Sequence, residues 1–282
     1  MNISVIDTGF FKLDGGAMFG VVPKSIWQTL NPADENNMCN WAMRCLLVED
    51  GNRLILIDTG IGQKQNEKFF GYYYLNGEQS LEKSLHKAGV NFSDITDVLL
   101  THLHFDHCGG AIKWNSSRDG YEPAFPKATY WSQSEHWQHA LNPNMREKPS
   151  FLKENILPIQ ESGQLKFVDE DLKISENISV MFANGHTEKM MCPIISSGKN
   201  TIVYMADMIP SLAHIPINFL MSYDIRPLQV MDEKQTFLKT AADNNYILFF
   251  EHDNTIECAT VLQTEKGIKA LNKGKLQDFI NI

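Results

Sequence analysis

The stretch Thr101-His102-Leu103-His104-Phe105-Asp106-His107-Cys108-Gly109-Gly110 constrains this chain most, because it sets three histidines and an aspartate within six positions and ends in two glycines. In an extended segment side chains alternate, so His102, His104 and Asp106 face one side and His107 the other unless the chain bends. Gly109-Gly110 permits such a bend. Imidazole nitrogens and carboxylate oxygens at ~2.0–2.2 Å are ordinary ligands of zinc, and suit iron, manganese or cobalt as well. Four such donors exceed what one tetrahedral ion accepts from so short a loop. Two ions resolve the excess, one on the His102/His104 side and one on the Asp106/His107 side. A polar loop without metal has no reason to place His at i, i+2 and i+5 with Asp at i+4.

Two ions need further ligands, and the ends of apolar strands supply candidates. The run 166–187 reads as strand, turn and strand delivering Gly185-His186; Asn200–Ile209 is an apolar strand delivering Asp207; Tyr246–Asp253 is a buried strand delivering His252. Ligand sites form beyond the C-terminal ends of strands in layered α/β folds. His186 completes three histidines on the first ion, His252 joins Asp106 and His107 on the second, and Asp207 bridges both through its two oxygens. A hydroxide held between ions ~3.5–4 Å apart is a nucleophile at neutral pH, because the metals pull the pKa of water towards ~7.

The rest of the chain reads as alternating strands and helices. Cys39–Asp50, Gly51-Asn52 and Arg53–Gly60 form a β-hairpin whose turn residues tolerate positive φ. Ser80–Val90 has a helical apolar period closed near Gly89, a strand runs through Asp94–Thr101, a short one lies near Ala128–Trp131, and a helix follows over Ser132–Leu141 with Ser132 or Ser134 as its cap. Asp232–Asn245 is a further helix. The aromatic run Phe69–Tyr74 and the pair Met190-Met191 offer either a pocket wall or core packing. Exposed aromatics also mark interfaces, so a homodimer is compatible.

Composition narrows the class. With 282 residues, 43% of them hydrophobic, and no Pro/Ser/Gly-rich linker, one domain over 1–282 is expected. The formal net charge of −9 with scattered basic residues disfavours a nucleic-acid partner. The first residues do not read as a secretory leader and no run approaches a membrane span, so a soluble, cytoplasmic protein acting on a small molecule is expected. Five cysteines, without a CxxC pair, indicate neither a disulfide framework nor a thiolate zinc site.

The segment His102-Leu103-His104-Phe105-Asp106-His107, followed in order by His186, Asp207 and His252, resembles the metallo-β-lactamase superfamily over nearly the whole chain. The resemblance implies an αββα sandwich, an α/β fold of two mixed sheets with helices outside, a dinuclear site holding two divalent ions, expected to be zinc, and Asp58 close by as an orienting residue. Within the superfamily, HLHFDHCGG and the stretch Ala206–Pro227 resemble the quorum-quenching N-acyl-homoserine-lactone lactonases and the methyl-parathion-hydrolase-like proteins. Many lactonases carry Tyr three residues after the bridging Asp, where it polarises the substrate carbonyl; here that position is Pro210. His214 and Tyr223 are the remaining candidates for that role.

The expected reaction is opening of a lactone ring by attack of a metal-bridging hydroxide, with Asp106 as both ligand and proton shuttle to the leaving alkoxide. A phosphotriesterase or phosphodiesterase, or a thioester hydrolase, uses the same centre, and a di-iron redox protein is the reading from another class.

Overall fold

The computed structural model describes residues 1–169 and 173–280. The described chain packs as two compact units, each assembled from separate stretches: residues 1–10 with 43–175, and residues 11–42 with 176–282. The chain passes from one unit to the other three times.

The first sheet has the order β1 (Asn2–Asp14), β2 (Met38–Asp50), β3 (Arg53–Ile57), β4 (Asp97–Leu99), β7 (Thr129–Ser132), β8 (Leu165–Phe167), and β5 (Ile112–Trp114) pairs separately with β6 (Tyr121–Pro123). The expected hairpin is β2–β3: Leu46 pairs with Ile57, Asp50 pairs with Arg53, and Gly51 alone of the two turn residues takes positive φ, at 64°. β3, β4, β7 and β8 run parallel. Parallel strands are covered on both faces, which is why Ile55, Leu56, Ile57, Val98 and Leu99 form unbroken apolar runs and are buried. The helix Leu81–Lys87 is capped by Ser80, whose hydroxyl accepts from Lys83 N, and ends before Gly89 at φ 76°. Its Leu81 and Leu85 enter a core with Leu56, Val98, Leu103, Tyr130, Trp137 and Ile156.

The helix Ser134–Leu141 departs from expectation at its start. Gln133 caps it, its side-chain oxygen accepting from His136 N at 2.8 Å, so neither Ser132 nor Ser134 does. Gln133, between the two serines, is the extended residue at the start of the helix, so its side chain meets the orphan N–H three residues on.

The second sheet has the order β14 (Gly267–Gly274), β13 (Cys258–Thr264), β12 (Ile247–Phe249), β11 (Asn200–Tyr204), β10 (Met190–Ser197), β9 (Ile178–Ala183), antiparallel apart from β11 and β12. Part of the strand-turn-strand reading over 166–187 falls on 170–172, outside the described residues. Met190 and Met191 are buried in β10, paired with Ala183 and Phe182, and serve as core. The helix Pro227–Asn244 begins five residues before the expected Asp232, because Pro227 at its first position is preset for helical φ. Val230, Lys234, Phe237, Leu238 and Ala241 form its buried stripe. Asn245 in the left-handed region, φ 54°, closes it. Among the described residues no helix is long and apolar enough to cross a membrane, and all five cysteines are buried thiols.

Candidate metal centre

Each candidate ligand sits just past the end of a strand or in a single helical turn. In the first unit, β3 is followed directly by Asp58, and β4 by the loop carrying Thr101 and His102. The motif is not extended throughout: Phe105–Cys108 is one helical turn, which sets Asp106 and His107 on neighbouring positions of a coil instead of opposite faces of a strand. Gly109 and Gly110 serve close approach, not reversal. A Cβ on Gly109 would lie 2.1 Å from Ile61 O, and one on Gly110 would lie 2.2 Å from Thr59 O. The motif therefore lies directly against the Asp58–Gly62 loop, and Thr59 N, Thr59 Oγ1 and Gly110 N donate to His107 O, His107 O and Gly60 O.

Asp58, at φ 57°, orients two imidazoles. Its Oδ1 accepts from Thr101 N at 2.8 Å; its Oδ2 accepts from Thr101 Oγ1 at 2.7 Å and from His107 Nδ1 at 3.1 Å. Because the Thr101 hydroxyl gives its proton to Asp58, its oxygen accepts from His102 Nδ1 at 3.1 Å. In the second unit His186 Nδ1 donates to Asp224 Oδ1 at 3.0 Å, and His252 Nδ1 donates to Ala42 O at 2.7 Å. These four imidazoles thus carry their proton on Nδ1 and turn the lone pair of Nε2 inward. That is the tautomer and outer bracing of metal-ligating histidines.

What the inward nitrogens face completes the case. Asp207 splits its carboxylate, with Oδ2 at 3.2 Å from His186 Nε2 and Oδ1 at 3.2 Å from His252 Nε2. His102 Nε2 lies 3.1 Å from His104 Nδ1, and His107 Nε2 lies 3.8 Å from Asp106 Oδ2. Lone pairs of acceptors that face one another repel unless a cation lies between them. Ligands at ~2.1 Å around a tetrahedral ion are ~3.4 Å apart, close to these separations. The donor chemistry fits divalent metal ions. Asp207 follows Ala206 at φ 43°, a strained conformation for a residue with a Cβ, of the kind found where function fixes the backbone.

The residues named for carbonyl polarisation are placed differently. His214 is buried, donates from Nε2 to Met18 O at 2.8 Å and accepts at Nδ1 from Ser211 Oγ at 2.7 Å, while its ring stacks on Phe19. Burial pushes its pKa down to about 3. A substrate carbonyl would have to displace one of its two partners. Tyr223 is 40% exposed at the surface of the second unit. Pro210 contributes its carbonyl, which accepts from His252 N at 3.0 Å. Phe69 and Tyr73 of the aromatic run pack on Phe105 of the motif, at 5.3 and 4.7 Å between ring centroids, whereas Tyr72 and Tyr74 are exposed.

Sequence reasoning missed Thr101, Asp224, His136, His139 and Glu147. His136 Nε2 accepts from Leu103 N at 2.9 Å, fixing the peptide between His102 and His104. Two histidines in one short helix soon after the motif are a faint signal for it; Glu147, in Asn144-Met145-Arg146-Glu147, carries none.

The profile of the Metallo-beta-lactamase superfamily matches residues 44–252. The chain belongs to the metallo-beta-lactamase superfamily. Its mixed sheets and helices are the fold of that superfamily, and it is a superfamily hydrolase. An N-acyl homoserine lactonase of Bacillus cereus is 25% identical over 191 residues, 64% of this chain and 68% of that one. A probable metal-dependent hydrolase from Staphylococcus aureus superposes with a TM-score of 0.87 at 27% identity, over 97% of this chain and 96% of the other. A dizinc quorum-quenching lactonase in complex with a product superposes with a TM-score of 0.79 at 23% identity, over 97% and 95% of the two chains.

Proposed function

We propose that this superfamily hydrolase opens the ester ring of a lactone, with N-acyl-homoserine lactones as the substrate class, on two divalent metal ions, zinc by preference. The reading treats 1–282 as one hydrolase domain in which both ligand sets serve one centre. His102, His104 and His186 would hold the first ion and Asp106, His107 and His252 the second, with the Asp207 carboxylate available to both. When bound, the ions supply Lewis acidity toward the carbonyl and lower the pKa of water towards ~7. Asp58 keeps His102 and His107 in the ligating tautomer, through Thr101 in the first case. Asp106 holds the proton released on attack and passes it to the leaving alkoxide, so that ring opening ends in a neutral alcohol. Phe69, Tyr73 and Phe105 give the acyl chain an apolar surface. The five buried thiols suit the reducing cytoplasm.

The observation that carries this reading is the split carboxylate of Asp207, one oxygen turned to each of two imidazole nitrogens whose other sides are braced. The lactonase relative supports the substrate class. The test is elemental analysis of the natively expressed protein together with turnover of acyl-homoserine lactones, aryl esters, thioesters and an aryl phosphotriester. Two equivalents of metal and preferential lactone opening are expected. Inert lactones beside a turned-over phosphotriester would reassign the substrate, and protein active without metal would overturn the centre.

A further inference from the structure

His104 differs from the four histidines braced through Nδ1. Its Nδ1, not its Nε2, faces His102 Nε2, at 3.1 Å. If Nδ1 is the ligating atom, as the proposed function requires and as this inference therefore assumes, the proton of His104 sits on Nε2, and the group that receives it must lie on the opposite side of the ring from the partners of the other imidazoles. That group is Glu147, whose Oε1 is 3.7 Å from His104 Nε2.

Glu147 is built to stay there. It is 3% exposed, its Oε2 accepts from His139 Nε2 at 2.7 Å and from Asn144 Nδ2, and its backbone N donates to Asn144 Oδ1 at 3.0 Å. Phe151 closes the space beside it, its ring 4.8 Å from that of His104 and 5.8 Å from that of His139. A buried carboxylate costs several kcal/mol in desolvation unless donors surround it. Here His139 and Asn144 hold one oxygen, and the other is turned to His104.

We infer that Glu147 is the positioning residue of His104: it accepts the Nε2 proton when His104 ligates through Nδ1, fixes the ring plane, and makes Nδ1 a stronger donor to the first ion. Asp58 and Asp224 do the same for His107 and His186. The carboxylate partner of His104 is supplied by the turn between the helix Ser134–Leu141 and Phe151, about forty residues beyond the motif. This position then governs the first ion without touching it.

The test compares wild type with Glu147→Gln and Glu147→Ala by competition of the purified protein against a chromogenic chelator for zinc and cobalt. Removing an outer partner of this kind costs about 10- to 100-fold in metal affinity. The expected result is that one of the two binding steps weakens by that factor in both variants and the other stays within threefold. In the zinc-loaded wild type, proton NMR should show a slowly exchanging His104 Nε2–H resonance, shifted upfield in Glu147→Gln and lost in Glu147→Ala. Unchanged steps in Glu147→Gln, or equal weakening of both, overturns the inference while leaving the dinuclear reading intact. A wild type that takes up no metal overturns both. Should neither variant fold, a rapidly exchanging or undetectable Nε2–H in the loaded wild type still rejects it.

Discussion

A histidine is ready to bind metal when one ring nitrogen is braced by an acceptor and the other faces a cation position; His186 meets that condition and His214 does not. The two are indistinguishable in sequence, each a single His after an apolar stretch. Only the partners Asp224 for one, and Met18 with Ser211 for the other, separate them. Replacing His214 by Ala leaves Ser211 and the Met18 carbonyl without their partner and opens a cavity, so a loss of about 3 kcal/mol in denaturant unfolding is expected, with kcat of the folded fraction changed less than fivefold. A hundredfold fall in kcat at full stability would return it to carbonyl polarisation. Asp106 is the contrasting case: Asp106→Asn keeps the shape and one oxygen but removes the carboxylate, so the rate should fall about a hundredfold or more while elemental analysis still finds metal. Full turnover with full occupancy would exclude the proton role. Position 223 was singled out from the sequence, yet the group that reaches His186 belongs to its neighbour Asp224, because a turn rather than a periodic element decides which of two adjacent residues points inward.

At the scale of elements, period and apolar runs made β2–β3, the helix Leu81–Lys87, β4, β7, β11 and β12 legible, since buried parallel strands and amphipathic helices write their environment into local composition. Single-turn elements such as Phe105–Cys108 do not, because four residues carry no period. β1 and the β13–β14 hairpin also went unread; β14 is largely exposed and mixes Lys269, Asn272 and Lys273 with only a short apolar content, so burial imposes no apolar run on it. The packing of Gly109 against Ile61 O belongs to this scale as well. Gly109→Ala forces two loops apart, an overpacking that costs about 1–3 kcal/mol and should lower zinc stoichiometry along with stability; a variant with wild-type metal content and midpoint would show the loops to be pliant. The helix Pro227–Asn244 carries a buried Lys234 whose ammonium donates to Pro216 O and Phe219 O, both at 2.9 Å. Burial lowers its pKa to about 7, against ~10.4 in an unfolded chain. Between those values the unfolded state binds more protons, so this group adds stability as pH rises from 7 towards 10 and withdraws it as pH falls back to 7. Subtracting the pH–stability curve of Lys234→Met from that of wild type should therefore leave a positive slope over that range, and a flat difference would place the amine in contact with water.

The whole molecule is where sequence reading had least purchase. No linker-like stretch breaks the sequence from 1 to 282, and along it the two compact units alternate: residues 11–42 pack with 176–282, and residues 1–10 with 43–175. No composition shift marks those crossings, two of which lie within β1 and between Ala42 and Met43 of β2. The proposed ligands divide accordingly, His102, His104, Asp106 and His107 on one unit and His186, Asp207 and His252 on the other. If two ions draw on both sets, binding stabilises both units, by about 2.7 kcal/mol per site at a free metal concentration a hundredfold above Kd. Hydrogen exchange followed by mass spectrometry on chelator-treated and zinc-restored protein separates the outcomes. Slower exchange on metal return should appear at β3 and β4 of the first unit and at β11 and β12 of the second, with hydrolysis returning in the same titration. Protection confined to one unit would mean that its ligands alone hold the metal, and the shared centre, with Asp207 as its bridge, would have to be abandoned.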